Sequence, residues 1–379
     1  MKAARVVLPA SSTHGEAGTP AARQGVLELR RTRRRSTLER MPKWLICVPL
    51  TLQWLCLAAR YRSLSLPSAA NPTVTSGGLV GEGKLEYFDI MGPLARAVTA
   101  RSCGVTAMHP PDAGALQRTM RTAALSFPVM AKPNLGLCGY GVRRLDDEAA
   151  LLAYMSAFPQ GETVVLQQYL RQEGEAGIFY AREPATGCGR IIGLALRYFP
   201  QVVGDGRRTL GELMALDVRC ERLCSTPRHE FSHDRGRVPT AGEVVRLSTI
   251  GSTRVGGLYR NGAGSITPAL TAAIDAIARD MTNFHVGRFD VRIESLEALA
   301  AGQGFTIMEV NGAGSEAIQA WDPDISLWTG LRMIFAKQAL LFAIGHAQRA
   351  RGVRPIGVWA LHRLNQRQNR LVRRYPRSN

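Results

Sequence analysis

The stretch HVGRFDVRIESLEALAAGQGFTIMEVNG, residues 285–312, contains two runs typical of strands, joined by a short connection. Asp290 lies in the first run, and Glu309 and Asn311 lie in the second. Because successive side chains of a strand point to opposite faces, Glu309 and Asn311 project to the same side. If the two strands pair, Asp290 projects beside them. The stretch then gathers two carboxylates and one amide oxygen on one face.

Such an all-oxygen cluster suits a hard cation. Mg²⁺ usually takes one or two carboxylates and completes its shell with water and substrate phosphates. Asp290, Glu309 and Asn311 are therefore the candidate metal ligands, with Mn²⁺ as an alternative ion. The other interpretation is the solvent face of an edge hairpin. The apolar neighbours Phe289 and Val310 argue against it, because they indicate that both faces are partly covered, and buried carboxylates require a cation.

A second motif is the glycine-rich stretch AKPNLGLCGYGVRR, residues 131–144. Lys132 ends an apolar strand and directly precedes the loop. The backbone N–H groups of such a loop can hold phosphates, and the lysine adds a point charge. The spacing matches neither a P-loop nor a dinucleotide-binding fingerprint. Taken alone, the stretch favours the turn of a plain β-hairpin over a phosphate site.

The order of these pieces is more specific than any one of them. A strand ending in Lys-Pro is followed by a glycine loop, then by VVLQQYLRQEGEAGIF (164–179), and then by the Asp…Glu-x-Asn strands. This order resembles the ATP-grasp superfamily, whose two α+β subdomains clamp ATP between them. The resemblance covers roughly residues 96–345.

The resemblance implies roles for the matching residues around the nucleotide. Lys132 would contact the α- and β-phosphates beneath a lid loop. The backbone of Gln168 and Leu170 would meet adenine, although many members carry an acid where this chain has Gln167. Glu175 would hold the ribose, and Arg197 would give a second phosphate contact. The implied lid glycines are Gly136, Gly139 and Gly141.

At the reacting centre the resemblance implies two arginines. Arg288 would neutralise the transferred phosphate beside the metal ligands. Arg292 is a second candidate, and it shares that strand face only if no bulge intervenes. Past the metal strand, Ser315 could hold a substrate carboxylate or acylphosphate, and Glu316 could meet an incoming amine. An ordinary helix N-cap is an equal alternative for Ser315.

A further resemblance narrows the class. FPQVVGDGRRTLGEL (199–213) and VPTAGEVVRLSTIGSTRVGG (238–257) resemble segments of amide-forming ligases related to cyanophycin synthetase and D-alanine–D-alanine ligase. The GDGRRT segment can equally be a turn that caps the next helix through Thr209. The resemblance implies that ATP and Mg²⁺ activate a carboxylate as an acylphosphate, which an amine then converts to an amide. Two alternatives stay open: phosphorylation without ligation, and a basic RNA- or membrane-binding protein with a non-catalytic nucleotide fold.

The predicted fold is α+β, an ATP-grasp arrangement with a reduced N-terminal region. We expect a basic, disordered arm (1–43), an apolar helix and reduced region (44–95), the ATP-grasp domain (96–345) and an Arg-rich C-terminal tail (346–379). Glu82 and Lys84 fall in the reduced region, within GGLVGEGKLEYF. A surface loop is the simpler interpretation, and contacts of these two residues with substrate or phosphate are the alternative.

The chain has 379 residues and a net charge of +18, and the excess lies at the two ends. Solvated tails and a positive helix face are the favoured explanation. The alternative is an anionic membrane surface bound through residues 30–60 and the C-terminal tail. We expect no specific nucleic acid partner, and a homo-oligomer is compatible with the sequence.

The run WLICVPLTLQWLCLAA (44–59) is the most apolar segment. It is shorter than the ~20 residues that span a bilayer. A helix packed on the domain is the first interpretation, and a membrane-surface helix is the second. Seven cysteines form no disulfide pattern and favour a reducing compartment. We therefore expect a cytoplasmic protein, with the inner membrane face as a second location.

Overall fold

Two antiparallel sheets that follow one another along the chain form the centre of the fold. The computed structural model describes residues 34–225 and 233–379. Within these ranges helices and strands are interspersed, and neighbouring strands pair as hairpins, which confirms the predicted α+β class. All seven cysteines are free, as the sequence predicted.

The N-terminal region is helical. Its helices are α1 (Thr37–Arg40), α2 (Lys43–Tyr61), α3 (Lys84–Asp89) and α4 (Pro93–Ala97). Helix α1 begins at a capping box, in which the side chains of Ser36 and Glu39 accept each other's backbone N–H groups. Glu39 also forms a buried ion pair with Arg219, at 3.2 Å between Oε2 and Nη2. This pair fixes α1 against a segment that is distant in the sequence.

The first sheet is four-stranded, in the order β1-β4-β2-β3. Its strands and helices are β1 (Ser102–Thr106), α5 (Ala113–Thr122), β2 (Val129–Pro133), β3 (Arg143–Leu145), α6 (Glu148–Ala157) and β4 (Thr163–Gln168). Asp112 and Asp147 cap the two helices through their side chains. Buried residues such as Met120 and Met155 cover one face of the sheet, so its other face is left for a ligand.

The second sheet is five-stranded, in the order β11-β10-β5-β6-β9. The elements from residue 174 to residue 311 are β5 (Gly174–Arg182), β6 (Gly189–Tyr198), β7 (Gln201–Val203), α7 (Leu210–Ala215), α8 (Cys220–Ser225), β8 (Val244–Arg246), β9 (Leu258–Asn261), α9 (Pro268–Arg279), β10 (Val286–Ile293), α10 (Leu296–Ala300) and β11 (Phe305–Asn311). Strands β7 and β8 form a separate two-stranded antiparallel sheet. Thr209 caps α7 through a capping box with Glu212, as the alternative interpretation of GDGRRT predicted.

Helices α3 and α4, with the residues that join them, pack on the second sheet. Tyr87, Met91 and Ala95 are buried in one apolar core with Ile277 of α9 and Phe289 of β10. The domain boundaries remain predictions. The boundary predicted at residue 95 falls within this apolar core.

The C-terminal region contains the helices α11 (Leu327–Ala350) and α12 (Val358–Val372). The segment 346–379, predicted as an Arg-rich tail, is therefore largely helical. Leu371, Val372 and Tyr375 are buried in the core of the first sheet, where the rings of Tyr375 and Phe158 stack at 5.0 Å. The arginines of α12 lie on its exposed face, which is the positive helix face that the sequence allowed.

The C-terminal region also forms hydrogen bonds with the glycine loop between β2 and β3. The side chain of Gln368 donates to the carbonyl of Gly136 at 2.8 Å, and the hydroxyl of Tyr375 donates to the carbonyl of Leu135 at 2.8 Å. From another direction, Arg254 donates to the carbonyl of Cys138 at 3.0 Å. Side chains from two distant segments thus fix the position of the loop.

We predict that Gln368→Ala loosens the glycine loop without unfolding the protein. Losing one hydrogen bond of about 1 kcal/mol should speed amide hydrogen exchange about fivefold at Tyr140 and Val142, whose N–H groups donate within the loop. Gln366→Ala, on the exposed side of α12, is the matched control. Equal exchange in both variants would show that Gln368 does not hold the loop.

Candidate active site

A cavity of about 1020 Å³ lies between the two sheets. One wall comes from β2, β4 and the glycine loop, and the other comes from β5, β6, β10 and β11. The predicted site residues that line it are Lys132, Gly136, Gly139, Gln168, Leu170, Glu175, Arg197, Arg288, Asp290, Arg292, Glu309, Asn311, Ser315 and Glu316. The fold therefore brings together side chains that are up to 184 positions apart in the sequence.

Gly141 is the exception among the predicted residues, because it does not line the cavity. Its φ is +72°, and a Cβ there would meet Pro133 Cγ at 2.8 Å and Tyr375 Cβ at 3.0 Å. Glycine is needed here for the backbone conformation and for close packing behind the loop. Gly141 therefore supports the glycine loop from behind, whereas Gly136 and Gly139 face the cavity. The lid role of the three glycines remains a prediction.

The paired strands β10 and β11 place the acidic residues as the sequence predicted. Asp290 lies directly opposite Glu309, and Arg288 lies opposite Asn311. Arg288 binds both carboxylate oxygens of Asp290, at 2.6 Å from Nε and 2.9 Å from Nη2. The side-chain amide of Asn311 also donates to Asp290, at 3.2 Å. These four side chains form one cluster on a single face of the hairpin.

Glu309 is held by a residue that the sequence argument undervalued. Lys84, the first residue of α3, lies 3.2 Å from Glu309 Oε1. Burial opposes ionisation of Glu309, but Lys84, Lys132 and Arg288 outweigh it and lower its pKa to about 2. Glu309 is therefore ionised at neutral pH.

Glu82 lies beside Lys84 on the cavity wall, and burial raises the pKa of its carboxyl to about 7. The surface loop expected for Glu82 and Lys84 is therefore wrong. Asn134, just past β2, accepts N–H groups from Lys84 and Leu85 and fixes α3 beside the glycine loop. No motif in the sequence connects these two segments.

Lys132 is buried at the floor of the cavity. Its Nζ donates to Gln167 Oε1 at 2.6 Å, and Gln167 in turn donates to the carbonyl of Met308 at 2.9 Å. Burial lowers the pKa of Lys132 to about 8, and Glu309 only partly offsets this effect. The side-chain hydrogen-bond partner of this ammonium is thus a neutral amide.

Glu175 lies between two arginines on neighbouring strands. It faces Arg197 on β6 and Arg292 on β10, with N–O distances of 2.7 Å and 3.6 Å. Burial opposes its ionisation, but the arginines prevail and the pKa of Glu175 is lowered. Both carboxylate oxygens are engaged in this conformation, so the predicted ribose contact would require these pairs to open.

Arg292 occupies a different part of the cavity from Arg288. The β10–β11 pairing shifts register between Asp290 and Val291, whereas the β10–β5 pairing is continuous. Arg292 therefore keeps its strand face but pairs with Glu175 and donates to the carbonyl of Gln172. This places it at the connection between the two sheets, not beside the carboxylate of Asp290.

The other end of the cavity lies past β11. The carbonyl of Glu316 accepts a hydrogen bond from Arg288 at 3.2 Å. Among the described residues, the Ser315 hydroxyl and the Nε of Arg197 are buried without a hydrogen-bond partner. These two cavity-lining groups are available to a polar ligand. Ser315 is not the N-cap of a regular helix, because the short 3₁₀ turn nearby begins at Ile318.

Apolar residues from three segments of the chain close this end of the cavity. They are Leu38, Met41 and Ile46 from the first described helices, Leu79 and Val80, and Ile318 and Trp321. Sequence reasoning missed the contribution of α1 and α2, because nothing in their composition shows which segment they cover. Their buried partner Arg219 lies about 180 positions away.

The residues present fit magnesium and a polyanion. Within residues 34–225 and 233–379, no three His, Cys, Asp or Glu side chains converge as a ready metal site. An ion at Asp290 and Glu309 would therefore complete its shell from Asn311, water and phosphate, as Mg²⁺ commonly does. It would have to displace Lys84 and Arg288, which now occupy those oxygens.

Comparisons with known proteins add the following. No protein-family model and no curated protein matches the chain. Solved structures with similar folds include a D-alanine–D-alanine ligase from Bacillus anthracis, with 15% identity, a TM-score of 0.36 and 70% coverage of both chains. A D-cycloserine synthetase matches with 13% identity and a TM-score of 0.36, over 70% of this chain and 69% of that one.

A bifunctional glutathione synthetase from Pasteurella multocida matches with 16% identity and a TM-score of 0.30. The match covers 65% of this chain but only 34% of the synthetase.

Proposed function

We propose that the chain is a magnesium- and ATP-dependent ligase that joins a carboxylic acid to an amine. The observation that carries this proposal is the opposed pair Asp290 and Glu309, which lies with Asn311 and Arg288 in a cavity that also contains Lys132. A pair of carboxyl groups beside unpaired donors and a buried lysine suits the binding of a metal–triphosphate. The two substrates themselves are not identified by this geometry.

The proposed reaction begins with transfer of the γ-phosphoryl group to the substrate carboxylate. The acylphosphate forms as the bond to ADP breaks, and the amine then displaces inorganic phosphate to form the amide. Mg²⁺, when bound, neutralises phosphate charge. The protein needs no nucleophile of its own, so its contribution is positioning and charge stabilisation.

Individual side chains have distinct tasks in this proposal. Lys132 and Arg197 hold phosphate oxygens from opposite sheets. Arg288 offsets the charge of the transferring group from its place beside Asp290. The hydroxyl of Ser315 binds the acid or the acylphosphate, and the carboxylate of Glu316 receives the ammonium form of the amine.

The two rival functions differ from ligation in the conditions under which ADP is released. An enzyme that phosphorylates without ligating releases ADP with an acid alone. A non-catalytic nucleotide fold binds ATP and releases no ADP in any mixture. The ionised Glu309 and the clustered phosphate-type donors favour a catalytic site over a non-catalytic one.

We predict that Glu309→Ala reduces turnover by at least about 100-fold, because the variant loses one of the two carboxylate ligands. The measurement is ADP release with pools of carboxylic acids, each tested with and without pools of amines. Glu294→Ala, an exposed acid near the end of the same hairpin, is the matched control. ADP release that is independent of amine, or absent from every pool despite ATP binding, would refute ligation.

A second prediction concerns Lys132 and its neutral partner Gln167. Because the pKa of Lys132 is about 8, the lysine loses its charge as the pH rises through that value, and phosphate binding weakens. The Kd for a non-hydrolysable ATP analogue with Mg²⁺ should rise roughly tenfold between about pH 7.5 and pH 9.5. In Gln167→Glu a carboxylate raises the lysine pKa, so the Kd should change much less.

The control for this prediction is Gln160→Glu. It adds the same charge at an exposed glutamine that does not line the cavity. Its Kd should keep the pH dependence of the unchanged protein. If Gln167→Glu and the unchanged protein show the same slope, Lys132 does not set the affinity for phosphate.

A further inference from the structure

One face of α2 is apolar and exposed to solvent. Trp44, Val48, Leu52 and Leu55 recur every three or four residues, so they form a stripe along one side of the helix. Trp44 is 68% exposed and Leu52 is 59% exposed. An exposed apolar stripe of this length is typical of a docking surface rather than of an ordinary helix surface.

The opposite side of α2 is attached to α11. The ring of Trp54 packs edge-on against Phe342 at 4.9 Å, Tyr61 packs against Phe342 and His346, and Gln53 donates to the carbonyl of Phe335. Residues later in α2 contact residues later in α11, so the two helices run parallel. Trp328 at the start of α11, which is 76% exposed, therefore lies toward the same end as Trp44.

The formally charged side chains within α2 and α11 are all basic. No acidic residue occurs from Met41 to Gly81, and none occurs from residue 325 to the last residue of the sequence. Exposed basic side chains flank α2 at both ends, at Arg40 and Lys43 and again at Arg60 and Arg62. A tryptophan-bearing apolar stripe with a basic rim matches the chemistry of an anionic phospholipid surface.

A second copy of the chain fits the stripe on α2 less well than an anionic lipid surface does. In a two-fold interface the same patch meets itself, and two antiparallel α2 helices would bring Lys43 of one copy toward Arg60 of the other. Like charges facing each other across an interface are unfavourable. Charge complementarity therefore selects the anionic surface.

Insertion across the bilayer is also disfavoured. By length and composition both α2 and α11 qualify as spans, with mean hydropathy 1.3. However, α11 carries Leu341, Phe342 and Ile344 into the protein interior, and α2 is bonded along α11. A span would break these contacts, whereas docking on the surface preserves them.

We propose that α2, together with Trp328, docks peripherally on an anionic phospholipid bilayer. Lys43 and Ile46 of the same helix line the cavity, so docking holds the outer wall of the cavity against the lipid surface. This inference is independent of the proposed ligase activity.

The test is flotation of the full chain with vesicles, without nucleotide. One set of vesicles is pure phosphatidylcholine and the other contains about 30% phosphatidylglycerol. We expect binding to the anionic vesicles that is at least about tenfold stronger, and that weakens at about 0.5 M salt. Leu52→Glu should reduce this binding at least about tenfold, because a charge then enters the apolar stripe.

The matched control is Leu216→Glu, which changes a leucine of similar exposure, 54%, on a different surface. It should bind vesicles like the unchanged chain. A second readout avoids dependence on the folding of a variant: brominated phospholipids should quench tryptophan fluorescence, and Trp44→Phe should lose part of that quenching.

Three outcomes would overturn the proposal. Equal binding by Leu52→Glu and the unchanged chain would remove α2 from any lipid contact. A dimer in lipid-free solution that Leu52→Glu converts to a monomer would make the stripe a self-interface. Retention in membranes after alkaline carbonate extraction would indicate a span instead of a docked helix.

Discussion

The charge cluster between the two sheets is the constraint on which the rest of the structure depends. Asp290, Glu309 and Glu175 are carboxylates within the fold, and each is paired with at least one cation. Buried charges are tolerated only when they are paired in this way, and removing one partner from such a pair is costly. The strand register that opposes Asp290 to Glu309 therefore also dictates where the cations must lie.

The cluster has more positive than negative charge. Lys84, Arg197, Arg288 and Arg292 are ion-paired with the three carboxylates, and Lys132 adds a further cation that faces Glu309. An excess of positive charge in a cavity is stabilised by a polyanion. A metal bound to the carboxylates would release Lys84 and Arg288 from them, and the freed cations would then face phosphate. The ion pairs of this conformation thus keep the site organised before the ligand arrives.

The sequence predicted the parts of the site that depend on local rules. Strand alternation placed Asp290, Glu309 and Asn311 on one face, and the strand before the glycine loop placed Lys132 in the same cavity. The sequence did not predict contacts between residues that are far apart along the chain. Lys84 reaches Glu309 across 225 positions, and Gln368 reaches Gly136 across 232. Spacing alone also could not distinguish a glycine that faces the cavity, such as Gly136, from one that packing behind the loop requires, such as Gly141.

The central claim is that the cavity between the sheets binds a metal–nucleotide complex through both of its walls. Hydrogen exchange of the full chain with Mg²⁺ and a non-hydrolysable ATP analogue tests it directly. The account predicts simultaneous protection of residues 132–142 and of the strands β10 and β11, and it predicts loss of that protection when Mg²⁺ is chelated. Protection of only one wall, or of neither wall at saturating analogue, would contradict it.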